Sequence, residues 1–209
     1  MKTPLTDSDW RWAADSLGVS VAKIKTIAHV ESGREGAFYD DGPHADEPVI
    51  LFEPHHFHKH TKGRFAQSMS PVLAGKRWPL SYRSWIRPNK RAGVDPYGPS
   101  SIQHEKLAAA AALDREAALK SCSWGRFQIM GSNYQACGFA SLQGFINAMY
   151  TSERTQLEAF VGFIRSNGAL LAALRAGDWD TVARHYNGPA NVPVYGRLLR
   201  MAYRKFSSQ

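Results

Sequence analysis

The stretch SVAKIKTIAHVESGREGAF, residues 20–38, decides how this chain is read. Val21, Ile24, Ile27 and Ala28 form an i, i+3, i+6, i+7 stripe, which predicts an amphipathic helix with one buried face. Ser20 suits its start and Gly33 its stop. Glu31 continues the apolar stripe, three residues after Ala28 and seven after Ile24. An acid there is disfavoured twice: it faces the core, and it sits at a helix C-terminus, where the macrodipole favours cations. The plain reading is an exposed acid at a helix end. The functional reading is a partly desolvated carboxyl. Burial disfavours its charged form and raises its pKa, as a general acid working near neutral pH requires.

The 209 residues are 44% hydrophobic and 11% aromatic, enough to bury a sizeable core in one large domain or two small ones. Charged residues make up 21%, which excludes a disordered chain. A net charge of +8 favours a polyanionic partner, whether nucleic acid, an anionic membrane surface or an acidic envelope polymer. The start, MKTPLTDSDW, has no apolar segment of the kind a secretory signal needs. No window reaches 18 apolar residues, so no transmembrane span is expected. The expectation is synthesis in the cytoplasm. Cys122 and Cys137 lack metal-ligand spacing, and free thiols are favoured over a single disulfide.

Hydrophobic patterning predicts a mostly α (α+β) fold, read as one domain over residues 1–209 with a small β-hairpin region near residues 37–55. Thr6 and Asp7 open a helix that runs to Gly18. VILFE, residues 49–53, is a short β-like run after the turn-rich GAFYDDGPHADEP. From residue 103 onward the alanine-rich run, SWGRFQIMGSNYQACGF, FINAMYTSERTQLEAFVGFIRSN and the segments after them each read as helix or half-helix.

Three further stretches hold residue types that packing alone does not need. In CSWGRFQIMG, residues 122–131, Trp124 is either a core aromatic beside a turn or a platform for a pyranose ring. Gln128 there either finds a core partner or hydrogen-bonds a sugar substituent. In ARHYNGP, residues 183–189, Tyr186 and Asn187 fall where a helix breaks, which a plain C-cap also explains. EPVILFEPHHFHKH carries Glu53 and His55, His56, His58 and His60, the histidines being placed in a loop after the strand. The run fits no strong metal template, so no metal and no cofactor is assigned. Glu53 is a second carboxylate of the kind glycoside cleavage uses, with Asp40, Asp41, Asp46 and Glu47 as competitors.

Taken together, VESG, ILFEPHHF, LDREAALKSCSWGRFQIMG, SERTQLEAF and DWDTVARHYNGP resemble the phage endolysin N-acetylmuramidase family, within the lysozyme-like superfamily of goose-type lysozymes and lytic transglycosylases. The resemblance runs from about residue 20 to 206. It implies a lysozyme-like helical fold and cleavage of the β-1,4 bond between N-acetylmuramic acid and N-acetylglucosamine. By resemblance Glu31 is the catalytic acid, with Glu53 assigned beside it. Ser123, Trp124, Gln128, Met130, Tyr186 and Asn187 are assigned to substrate. Arg34 departs from the usual Glu-Ser-Gly-Gly of this branch. The family's cell-wall-binding module is missing here, so a single catalytic domain is expected over residues 1–209; the resemblance further implies a monomer, made in the host cytoplasm and acting on the wall in the periplasm after membrane permeabilisation. A lytic transglycosylase forming 1,6-anhydro products is the alternative.

The C-terminal VYGRLLRMAYRKF places Arg197, Arg200, Arg204 and Lys205 at i, i+3, i+7 and i+8. It reads as a core-packed terminal helix with a solvated face, or as a cationic amphipathic helix for anionic outer-membrane lipids. A rival reading of the N-terminal WRWAADSLGVSVAKIKTIA is a helix-turn-helix reader of nucleic acid. That rival leaves the other motifs unexplained, and no nucleic-acid partner is assigned.

Overall fold

The computed structural model describes residues 2–33, 36–66, 71–73, 75–82 and 97–208; Arg34 lies outside them. Helix α1, Asp7–Leu17, opens on a capping box in which Thr6 and Asp9 satisfy each other's backbone N–H groups. It closes on Gly18 in the left-handed conformation, φ 64°. Helix α2, Val21–Ser32, buries Ile24, Ile27 and Ala28 as the stripe predicts. Each of the two isoleucines contributes roughly 1.5–3 kcal/mol of apolar transfer.

The β structure is less local than the sequence suggests. Strand β1, Ile50–Phe52, lies where VILFE predicts it. Between residues 37 and 49 the chain forms only a turn closed by a Phe38–Pro48 bridge. The partner of β1 is 70 residues away: Ile50 pairs with Trp124 and Phe52 with Cys122 in an antiparallel ladder. That strand, Cys122–Trp124, and Ile129–Met130 form a hairpin, so SWGRFQIM is not helical. The reason is backbone conformation: Gly125 at φ 66° and Gln128 at φ 46° both sit in the left-handed region that turns a chain back on itself. A second two-stranded ladder joins Val72–Leu73 to Lys76–Arg77. In chain order these strands are β2 (72–73), β3 (76–77), β4 (122–124) and β5 (129–130).

Pro54 at the first helical turn starts α3, Pro54–His60, so the histidine run is a helix and not a loop. Helix α4, Gln103–Ala111, and α5, Arg115–Lys120, follow, the latter capped by Asp114. FINAMYTSERTQLEAFVGFIRSN divides into α6, Leu142–Thr151, and α7, Glu153–Ser166. Ser152 is fully extended there and caps α7, which breaks the helix. Helices α8, Gly168–Ala176, α9, Trp179–Tyr186, and α10, Val192–Ser207, complete a mostly α fold with one three-stranded sheet.

The core joins both halves. Phe127 stacks on Phe160 at 4.3 Å between centroids, and the Arg126 guanidinium bonds both Glu153 oxygens at 2.9 Å, fixing the β4–β5 turn to α7. Gly125 lies against the side chain of Gln156, whose amide accepts from Arg126 N and donates to Met149 O. Helix α10 buries Gly196, Leu199 and Ala202 and packs on α2 and α9. Its inward face is thus core. Cys122 and Cys137 are both free and buried.

Candidate active site

Glu31 occupies the last turn of α2, next to buried Ser32, at the edge of a cleft of about 150 Å³. Val49, Ile50 and Leu51 of the β1 segment form one wall, and Gly98, Ser100, Gln103 and Gln128 contribute to the rest. Burial pushes the Glu31 carboxyl up to about 7, against a hydrogen bond from Asn187 Nδ2 at 2.9 Å that pulls it down. Desolvation wins because, among the described residues, Asn187 is the one hydrogen-bond partner of this partly buried carboxyl. The other amide atom, Asn187 Oδ1, is buried with no partner among the described residues.

Asn187 is delivered by the end of α9. Its backbone N–H caps the helix by bonding Ala183 O at 2.8 Å, and its side chain turns back to α2. Tyr186, one residue earlier, donates its hydroxyl to Phe127 O at 2.7 Å and meets Phe163 edge-on at 5.5 Å. Burial first, then the Glu31 charge, raises its phenol well above the ordinary range. Tyr186 therefore ties α9 to the β4–β5 turn and borders Glu31 electrostatically.

Glu53 occupies the N-cap position of α3 without a side-chain cap bond, two residues beyond cleft-lining Leu51. The period of two along extended chain puts it on the same side. Burial raises its carboxyl to about 7 as well. Tyr195 of α10 is pushed up by burial and by the charges of both Glu31 and Glu53, which puts the two carboxyls in one neighbourhood. The competitors separate from them: Asp40 and Asp41 are exposed, Asp46 accepts from Lys2 N, and Glu47 lies between two histidines, described below.

The remaining assigned residues divide. Gln128 lines the cleft, but its amide is committed within its own turn: Oε1 accepts from Ser123 Oγ at 2.7 Å and Nε2 donates to Gly125 O at 2.8 Å. Ser123 is buried and reaches the site only through Gln128. Met130 is half-buried. Trp124 corrects the sugar-platform reading: it is 1% exposed, with Nε1 donating to Leu119 O at 3.2 Å, so neither ring face is open to a pyranose. Sequence alone cannot distinguish a groove tryptophan from a core one, because both follow from a Trp-Gly turn. It also gave no signal for Gln103, whose side chain orders Phe52 N and the Tyr97–Pro99 carbonyls beside the cleft.

Burial holds three histidines of α3, His55, His56 and His60, below the ordinary imidazole range. His56 falls to about 4, through burial and then the neighbouring His55, His60 and Lys59. His55 Nε2 lies 3.5 Å from Glu53 Oε2, and its Nδ1 is buried without a partner. His58 pairs with Ser81 Oγ at 3.1 Å.

A helical domain with a small sheet at its cleft, and a carboxyl there raised to about 7 by desolvation, is an arrangement suited to glycan cleavage. Residues 20–207 match the Muramidase family, N-acetylmuramidase, and the chain belongs to that family. It is 34% identical to the Burkholderia AP3 phage endolysin of known crystal structure, with a TM-score of 0.73, covering 98% of this chain and 71% of that one. A comparison with curated proteins gave no match. Membership makes the protein a peptidoglycan hydrolase.

Proposed function

We propose that the protein is an endolysin that hydrolyses the β-1,4 bond between N-acetylmuramic acid and N-acetylglucosamine, with Glu31 as general acid. The observation that carries this reading is the Glu31 carboxyl at the cleft, raised to about 7 by burial and oriented by Asn187. A carboxyl with that pKa holds a proton to donate to the glycosidic oxygen as the bond breaks. The oxocarbenium-like transition state then needs a nucleophile on the sugar. Glu53, on the same side as Leu51, is suited to orient a water there, since one of two near-neutral carboxyls ionises while the other keeps its proton. Gln128 and Tyr186 fix the cleft wall and the helix end that carries Asn187, and Met130 lies in β5, paired with Ser123.

In the alternative reading, a lytic transglycosylase, the muramic 6-hydroxyl attacks in place of water, and Glu31 serves first as acid and then as base. The second raised carboxyl, Glu53, favours hydrolysis. Mass spectrometry of digested peptidoglycan separates the two. Reducing muramic ends are expected; 1,6-anhydro ends would replace the hydrolase with the transglycosylase.

Acting as a monomer, the protein would reach the wall from the periplasmic side once the membrane is breached. Among the described residues no single helix is long and apolar enough to cross a membrane. Helix α10 presents Val194, Leu198 and Met201 to solvent, at 53%, 39% and 60% exposure, beside Arg197 and Lys205. That face would meet anionic outer-membrane lipids.

A further inference from the structure

Away from the two carboxyls, the turn of residues 39–47 meets the start of α4 through two histidines and two acids. His104 is 7% exposed and its Nε2 lies 3.0 Å from Pro48 O. A carbonyl only accepts, so Nε2 carries the hydrogen and donates it. The neutral ring then has a bare lone pair on Nδ1, and Nδ1 lies 3.0 Å from Glu47 Oε2. The same carboxylate oxygen is 3.1 Å from His44 Nδ1, while His44 Nε2 faces Glu105 Oε1 at 3.3 Å. The two rings stack, 4.7 Å apart and 21° from parallel, so that their edges face the same carboxylate.

Acceptors approach each other this closely only with a cation between or on them. The arrangement matches a metal site in three respects. First, the donors are two imidazoles and one carboxylate, a set that suits zinc. Second, metal bonds of 2.0–2.1 Å in a tetrahedron put donor atoms about 3.3 Å apart, and the carboxylate oxygen lies 3.0 and 3.1 Å from the two Nδ1 atoms. Third, with Nδ1 of each ring turned to the metal, each Nε2–H has an acceptor behind it, Pro48 O for His104 and Glu105 for His44. Metal-bound histidines are held in that way by their outer partners. Among the described residues, the carboxyl of Glu105 keeps one buried oxygen without a partner.

We propose that His44 Nδ1, His104 Nδ1 and Glu47 Oε2 bind one zinc ion, with Glu105 and the Pro48 carbonyl as outer partners and a fourth position left for water. The site is distinct from the α3 histidines, the one run whose sequence invites a metal reading. It clips the 39–47 turn to α4, whose first residue, Gln103, lines the cleft. Zinc would therefore stabilise one cleft wall without touching the reacting bond. His44 and Glu47 are partly exposed, at 23% and 36% of their side chains, so the ion can enter from solvent.

The test uses full-length protein stripped with chelator, then titrated with zinc chloride and, separately, with cobalt chloride. The expected result is one zinc retained per chain after desalting, a visible absorption band of tetrahedral cobalt, and a melting temperature raised by about 5 °C or more at zinc 100-fold above its Kd. His44→Ala and Glu47→Gln should each weaken zinc binding by about 100-fold and abolish the cobalt band, while His55→Ala changes neither. If His44→Ala fails to fold, the nearly isosteric Glu47→Gln carries the comparison. Two results would overturn the proposal: no stoichiometric zinc in the wild-type protein, which would leave a proton-bridged His–Glu network, or zinc that survives both variants and is lost in His55→Ala, which would place it at Glu53.

Discussion

Asn187 Nδ2 donates a 2.9 Å hydrogen bond to Glu31 Oε1 across 156 residues of sequence, joining the end of α9 to the end of α2. Among the described residues it is a single neutral donor on a half-buried carboxyl, and so it orients the carboxyl without forcing it to ionise. A lysine or arginine at the same place would hold Glu31 ionised and remove its proton. On the proposed reading, the choice of an amide is thus part of the acid's chemistry.

Replacing that acid should separate activity from stability. Glu31→Gln keeps the shape and the Asn187 neighbour but has no proton to give. Wall-degrading activity, measured as turbidity loss of a cell-wall suspension, is expected to fall by orders of magnitude. The folded pKa of Glu31, about 7, lies above its ordinary 4.5. Between those values the folded protein keeps a proton the unfolded chain has lost, so stability declines as pH rises through that window. Below 4.5 there is no cost, and above 7 the cost is complete, at most about 3 kcal/mol. Glu31→Gln should therefore melt higher than wild type at pH 8 and equal to it at pH 4. Near-normal activity in this variant would remove Glu31 from the mechanism.

The pH profile carries the same signature. Activity should decline above about pH 7 as Glu31 loses its proton. Because Glu53 is also raised to about 7, the limbs belong to the pair. Asn187→Ala removes the bond that favours the charged form, so the alkaline limb should move to higher pH while the rate at its plateau falls. A limb that stays put would mean that Asn187 does not govern the acid.

Two wall residues should act mainly through structure. Tyr186→Phe leaves the Phe127 carbonyl without its 2.7 Å partner, at a cost of about 1–3 kcal/mol. A lowered melting temperature with a modest activity loss is expected, far short of Glu31→Gln. Gln128→Ala loses the bonds to Ser123 and Gly125 and keeps a side chain at φ 46°. Gln128→Gly loses the same bonds but relieves the backbone, so it should melt higher than Gln128→Ala. The reverse order would show that backbone strain is not what matters at this turn.

The outer face of α10 can be tested without unfolding the protein. Deleting residues 197–209 would strip buried Leu199 and Ala202 from the core, so truncation is expected to collapse the fold. Leu198→Glu and Met201→Glu change exposed positions only. Both should keep activity on isolated peptidoglycan and lose leakage of dye from vesicles containing anionic lipid. Equal leakage by wild type and variants would assign the helix to packing alone.

The sequence by itself determined the helical class, the α1–Gly18–α2 opening, the position of β1 and the acid at the end of α2. These follow from local rules: apolar spacing, caps, glycine stops and a charge where none should be. It also singled out Glu53 and Asn187, although Asn-Gly-Pro alone could not say whether the asparagine capped a helix or served the site. Only the tertiary structure decided what each of these residues faces. Trp124 went to the core, SWGRFQIM became a hairpin, the histidine run became a helix, and β1 found its partner 70 residues later. Contacts between distant segments carry no local pattern, since they are chosen by the shape the whole core can fill. The raised pKa of Glu31 is of the same kind: it depends on how much water the assembled walls exclude, and the stretch around residue 31 contains no record of that.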